Sequence, residues 1–274
     1  MDKRLKIGIV GCGAIGSSLA KAISKDFSKT AKLVALFDSE NEKARDLSIR
    51  VGRSYKLTSA SLRELINKSE LVIESSSAKS SFEIAKEALT RSRDIMIMSV
   101  GGVIGRLKQL TVIARDHNSK VYIPSGAISG VDALKAIAIN EIKKVTLTTR
   151  KNPASFKGVE YVNKKGIILN KIKKDTLLFS GSAKDAVKLF PQNVNVAGIL
   201  SLAGIGEEKT RVKIIASADT KKNIHEIEIE SKAAKVFTRT ENILHPDNPK
   251  TSYLAVLSAI ATLKQILEPV KIGT

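Results

Sequence analysis

The chain is poor in the residues that most often advertise a function: among 274 residues there is one cysteine, no tryptophan, three histidines and 4% aromatics. The lone thiol, Cys12, can close no internal disulfide, which fits a reducing compartment. No apolar run reaches the ~18 residues of a membrane span, and the opening MDKRLKIGIVG passes directly into a strand pattern with no room for a secretory leader. The expectation is a cytoplasmic protein with no membrane contact and no metal site. Acidic residues are also scarce, leaving a net charge of +19. A charge of that size would suit nucleic acid, but the lysines are scattered, aromatics for base stacking are few, and no nucleic-acid motif accompanies them. The charge therefore reads as a solvated surface without a nucleic-acid partner.

What is present begins at Lys6 with KIGIVGCGAIG. Ile7, Ile9 and Val10 form a short buried strand, and Gly11, Gly13 and Gly16 follow in G-x-G-x-x-G spacing. A helix then carries Leu19, Ala20 and Ile23 on one face. This order lets the chain turn tightly at Gly11, approach a pyrophosphate at Gly13 and pack helix on strand at Gly16. The first helical N–H groups, at Ala14 and Ile15, then face an anion with about half a positive charge behind them. A second strand, Leu33 to Phe37, ends in Asp38, close to the ~20-residue offset of a carboxylate that holds the adenosine ribose. Cys12, in the x position of the turn, has no base beside it in sequence and reads as a small packing residue rather than a nucleophile.

Strand and helix then alternate. The polar stretch ends in helices over 40–49 and 58–67, a strand at 71–74 leads into Ser75, Ser76 and Ser77, and a helix covers 78–89. A strand over 94–100 stops at two glycines, a helix spans 104–114, and a strand at 121–123 runs into PSGAISG. Such alternation predicts a parallel, Rossmann-type sheet with its ligand crevice at the carboxyl ends of the strands, where Ser76 lies. Beyond residue 125 the pattern changes. A helix at 131–142 and a β-branched strand at 144–150 precede a lysine-rich stretch, 157–174, that reads as a surface loop. A Ser-capped helix at 182–189 and an apolar helix at 193–203 follow, then strands at 210–216, 223–230 and 235–241. The expected fold is α/β: a dinucleotide-binding domain over 1–125, completed by a C-terminal helix in 251–274, and an α+β substrate and dimerisation domain over 126–250 with a mostly antiparallel open sheet. An open sheet with helices on one face leaves the other to be covered, so a homodimer is expected.

Of the histidines, His225 stands apart. In NIHEIEIE the period of two puts it on one face with Ile227 and Ile229, and Glu226, Glu228 and Glu230 on the other. An imidazole there is equally a hydrogen-bonded core residue and a proton carrier matched to neutral pH. Asn193 and Asn195 open an apolar helix, as caps or as ligand contacts. TTRKN supplies a cationic fork, Arg150 and Lys151, suited to a carboxylate.

GCGAIG, IPSGAISGVDAL, TTRKNP, FPQNVNVA, NIHEIEI and NPKTSYLAVLSA, in this order, resemble the L-aspartate dehydrogenase family over nearly the whole chain. The resemblance implies a homodimer that oxidises L-aspartate to iminoaspartate, which hydrolyses to oxaloacetate and ammonia, and so feeds NAD synthesis. It implies NAD as cofactor, with NADP as a second nucleotide, His225 as active-site residue, and Ala127 and Asn195 as nucleotide contacts. Arg150, Lys151, Thr251 and Ser252 are then the candidates for holding the substrate. The competing enzyme is another two-lobed oxidoreductase, such as a dihydrodipicolinate-reductase-like protein; sugar dehydrogenases of this type carry a Glu-Lys-Pro that is replaced here by Ser-Val-Gly-Gly and Pro-Ser-Gly. The non-enzymatic competitor is a nucleotide sensor that binds DNA, marked by steep salt dependence.

Overall fold

The computed structural model describes residues 3–190, 194–246 and 248–273. The chain forms two compact units, Met1–Pro124 with Val256–Ile272, and Ser125–Ala255 with the last two residues.

The first unit is a five-stranded parallel sheet in the order β2-β1-β3-β4-β5, with β1 (Leu5–Val10), β2 (Ala31–Phe37), β3 (Leu71–Glu74), β4 (Asp94–Ile97) and β5 (Val121–Tyr122). Helices α1 (Ala14–Lys25), α2 (Asn41–Arg50), α3 (Leu62–Lys68), α4 (Ser81–Thr90) and α5 (Leu107–Asp116) connect the strands. Both faces of the central strands are covered, so Ile7, Ile9, Leu71, Val72 and Ile73 are all fully or almost fully buried; this is why the strands read as unbroken apolar runs rather than alternating ones. The fourth strand stops at Ile97, short of the expected Val100, because residues 100–102 tighten into a single 3₁₀ turn.

The second unit holds α6 (Val131–Ile137), β6 (Ile142–Lys151), α7 (Glu160–Lys164), β7 (Thr176–Ser182), α8 (Ala183–Leu189) and α9 (Val194–Ala203). These lead to β8 (Arg211–Ala216), β9 (Asn223–Ser231) and β10 (Lys235–Asn242). The sheet order is β10-β9-β6-β8-β7, antiparallel except for the parallel pair of β6 and β8. A small hairpin, β11 (Leu244–His245) with β12 (Asn248–Ser252), precedes α10 (Tyr253–Leu267). Thr251 and Ser252 thus end a strand instead of opening the last helix.

Further stretches differ from the sequence reading, among them α6, which stops at Ile137 instead of reaching 142, where β6 begins. The lysine-rich segment is more than a surface loop: Val159 and Val162 are 6% and 0% exposed, and Tyr161 packs edge-on against Phe179 at 6.0 Å and near Phe190 at 5.2 Å. Its lysines point outward while its few apolar residues anchor it. Strand β7, with Leu178 and Phe179 buried, went unassigned because its apolar run is brief and follows that polar stretch. Asn193 lies outside the described residues. No described helix is long and apolar enough to cross a membrane.

Candidate active site

The first constellation belongs to the Rossmann unit. Gly11 sits at φ 91°, and a Cβ there would press into the Ser75–Ser76 backbone; at Gly16 a Cβ would overlap the Gly11 carbonyl oxygen. Gly13 has nothing within 4 Å of where its Cβ would stand, so its outer side is open to a ligand. The first turn of α1, Ala14, Ile15 and Gly16, starts at Gly13 with no side-chain cap, unlike α3 and α8, whose N–H groups are taken by Ser61 and Ser182. Uncapped donors at a helix start suit a pyrophosphate.

That groove holds about 330 Å³ and is lined by Gly11, Gly13, Asp38, Lys43, Ser76 and Ser80 among others. Asp38 accepts from the Cys12 N–H at 2.7 Å and from the Glu40 N–H at 2.9 Å, which aims its carboxylate across the mouth of the turn. Lys43 is drawn to Glu40 at 2.6 Å. Cys12 is 3% exposed, and burial together with the neighbouring Asp38 pushes its thiol up to about 12, so it stays protonated and inert. The residues present fit a dinucleotide: an open glycine face, uncapped helix donors and a carboxylate at the ribose position.

Sequence reading passed over Glu74. It ends β3, is 0% exposed, and accepts from the Ser76 N–H and hydroxyl, each at 2.8 Å, and from the Ser99 N–H at 3.0 Å. One buried carboxylate therefore fastens the loops after β3 and β4 together; burial raises its pKa, and the three donors oppose that rise. A charged residue closing the run LVIE was the available signal.

The second constellation lies on the sheet of the other unit. His225, 4% exposed, is placed by β9 on the face with Ile227 and Ile229, both 0% exposed. Its partner in the ladder is Thr149 of β6, whose hydroxyl lies 3.0 Å from Nδ1. Lys151 follows on the same face, two residues along. Burial first, and then the Lys151 charge, pull the imidazole down from 6.5 to about 3, while burial lowers Lys151 to about 8. Arg150, the other half of the cationic fork, points to the opposite face, where it pairs with Glu226 and, at 3.1 Å, with Asp175. The structure thus groups Lys151 with His225 and separates Arg150 from both.

Ala127 is 7% exposed in the loop before α6, and its carbonyl accepts from Asn242 Nδ2 at 3.0 Å. Asn195 stands near the start of α9 and is exposed. Ser252 is buried and Thr251 half-buried at the end of β12. Among the described residues, no three His, Cys, Asp or Glu side chains gather as a metal site.

Comparison with known proteins now decides the family. Residues 132–266 match the model of the aspartate dehydrogenase C-terminal domain, and residues 11–124 that of the homoserine dehydrogenase NAD-binding domain. The L-aspartate dehydrogenase of Methanosarcina barkeri is 48% identical over 98% of this chain and 100% of its own. The chain belongs to the L-aspartate dehydrogenase family. Its relative from Methanosarcina acetivorans is likewise 48% identical over 98% of this chain and 100% of its own length. The fold of the family is seen again in the crystal structure of an aspartate dehydrogenase from Thermotoga maritima, with a TM-score of 0.73 at 24% identity, covering 98% of this chain and 100% of that one. The chain is an α/β oxidoreductase of that family, with a nicotinamide-nucleotide-binding domain in its N-terminal part.

Proposed function

We propose that the protein oxidises L-aspartate to iminoaspartate with NAD, the imine then hydrolysing to oxaloacetate and ammonia, in a cytoplasmic supply route for NAD synthesis. The observation that carries this reading is the 48% identity sustained over 98% of the chain. The nucleotide supplies the acceptor for the hydride leaving the substrate Cα. The glycine turn and the first turn of α1 hold its pyrophosphate, Asp38 its adenosine ribose, and Ser76, Ala127 and Asn195 are further contacts. In the tautomer that carries its proton on Nδ1, facing the Thr149 hydroxyl at 3.0 Å, His225 has the Nε2 lone pair free to take the proton from the substrate nitrogen. Lys151 holds a substrate carboxylate; that negative charge offsets the lysine, the smaller of the two causes that depress the imidazole, burial being the larger. Thr251 and Ser252 are candidates for a second carboxylate contact. The assay is reduction of NAD or NADP in the presence of a panel of amino acids, followed by absorbance of the reduced nicotinamide. Activity confined to L-aspartate is expected, and activity on other amino acids but not on aspartate overturns the reading.

NAD is the preferred nucleotide in this proposal. A 2′-phosphate would meet Asp38 and Glu40 together, and Lys43, the cation that lines the groove, is already paired with Glu40 at 2.6 Å. The KM for NAD should lie below that for NADP, with Asp38→Ala narrowing the gap; a lower KM for NADP in the unaltered protein defeats the assignment.

A homodimer is proposed through the sheet face opposite His225. That face carries a lattice of ion pairs, Glu226 with Arg239 and Arg150, and Lys144 with Glu228 and Glu230, around Phe237, which is 65% exposed, and Leu177, 56% exposed. Exposed apolar residues inside a ring of charge suit a partner surface. Sedimentation velocity at micromolar concentration should give close to twice the 29.6 kDa chain mass, and Phe237→Glu should return it toward one. A monomer for the unaltered protein ends the proposal.

A further inference from the structure

Along the His225 face the sheet changes character from one end to the other. Val145 and Leu147 of β6 sit beside Ile227 and Ile229 of β9, all at most 1% exposed, and then the same strands turn polar at Thr149, Lys151, His225 and Asn223. Strand β10 continues the polar end with Thr240, paired to His225, and Asn242, paired to Asn223. Asn242 is therefore the diagonal neighbour of His225 on the same face, a separation of about 7–8 Å in an antiparallel pair.

The side of β10 that carries Asn242 also grips the loop before α6. Thr240 Oγ1 lies 3.0 Å from Ser129 Oγ, Thr238 donates to the Ser129 carbonyl at 3.4 Å, and Asn242 Nδ2 donates to the Ala127 carbonyl at 3.0 Å. The last contact fixes the amide orientation, because a carbonyl can only accept. Asn242 Oδ1 is then left facing away as a buried acceptor. The residue is 2% exposed, and no donor among the described residues meets that oxygen. Buried acceptors without a donor are rare and costly, so an empty one on the face of the sheet that carries His225, diagonal to it, points to a ligand donor.

We propose that Asn242 Oδ1 receives an N–H of the substrate amine, making Asn242 the residue that recognises the amino group while its Nδ2 holds the Ala127 loop. The inference rests on the reading of the protein as an aspartate oxidiser. Aspartate's two carboxylates only accept hydrogen bonds, so its nitrogen is the one group of the substrate that can serve an orphan acceptor. An acceptor there orients the nitrogen with a second N–H left for His225.

The test compares L-aspartate with succinate, which has the same two carboxylates and no amine, as ligands of the protein saturated with reduced nicotinamide nucleotide. Titration calorimetry reads both dissociation constants without turnover. In Asn242→Leu the aspartate-to-succinate preference should fall about tenfold or more, by loss of binding to aspartate rather than to succinate. Asn242→Ser, which withdraws the same acceptor without adding volume, should give the same shift and stands in if the leucine variant does not fold. Thr240→Val, which loosens only the loop, should change both ligands by one common factor. Equal weakening of both ligands in the Asn242 variants, no change in either, or an effect confined to the affinity for the nucleotide overturns the assignment. An unaltered protein that neither binds nor oxidises aspartate overturns the proposed function itself, whereas one that does both while the variants keep their preference overturns only the role of Asn242.

Discussion

His225→Ala should lower turnover of L-aspartate by about 10²- to 10⁴-fold, the usual range for losing general acid–base help, while the affinity for NAD stays within about twofold. The two quantities separate because the residues proposed to hold the pyrophosphate and ribose, Gly11, Gly13 and Asp38, belong to the other compact unit of the chain. Steady-state kinetics with a parallel nucleotide titration checks both halves, and full turnover of the variant between pH 6 and 9 would remove His225 from the chemistry. Thr149→Val should show a milder form of the same loss, since it frees the imidazole from the 3.0 Å contact that holds the ring's orientation. The imidazole also sets an acid limit on stability. Its value is about 3 in the folded chain against 6.5 unperturbed, so between these the unfolded chain binds a proton that the folded chain refuses. Stability from this group is complete above pH 6.5 and drains away as the pH falls toward 3; alanine at 225 removes that part of the acid sensitivity, which denaturant melts at pH 5 and pH 7 would register.

Leu263→Ala is expected to cost about 2–5 kcal/mol of unfolding free energy, the range for emptying a fully buried leucine site. Leu263 is 0% exposed and belongs, with Ala259, to the core that contains Ile7, Ile9, Leu19 and Ile23. The last helix therefore completes the sheet unit whose first strand opens the chain. Urea melts should show a clear fall in midpoint with an unchanged slope, and protein cut after Ala255 should fail to bind nucleotide because the unit that holds it loses its closing helix. A midpoint unaltered by the substitution would show that α10 packs too weakly to matter.

The parts of this protein that could be read from sequence are those whose meaning is local. Gly11, Gly13, Gly16 and Asp38 are separated by short, fixed intervals set by one turn and one strand, and the alternation in NIHEIEIE assigns His225 to a face without any knowledge of its neighbours. What escaped depends on which strand lies next to which. TTRKN supplies two cations, and only the pairing of Thr149 with His225 reveals that Lys151 shares the imidazole's side and Arg150 turns away to Glu226. Thr149 itself carries no signal until that register is known. Asn242 looks like the polar end of a strand, and its unmet oxygen exists only because the Ala127 loop occupies its nitrogen. The anchors of the lysine-rich segment, Tyr161 and Val162, form no periodic pattern, and Tyr161 shows itself only against the Phe179 and Phe190 rings.

The single thiol has a practical side. Cys12 is the chain's one cysteine, enclosed in the glycine turn and held protonated far above neutral pH. Alkylating and disulfide-forming reagents act on thiolates, so the native fold is silent toward them at pH 7. A cysteine introduced at an exposed position such as Ile139, 91% accessible on the second unit, would then take a fluorophore or spin label alone. Motions of the second unit become observable by spectroscopy without first engineering the glycine turn, and the native thiol reacts only when that turn comes apart.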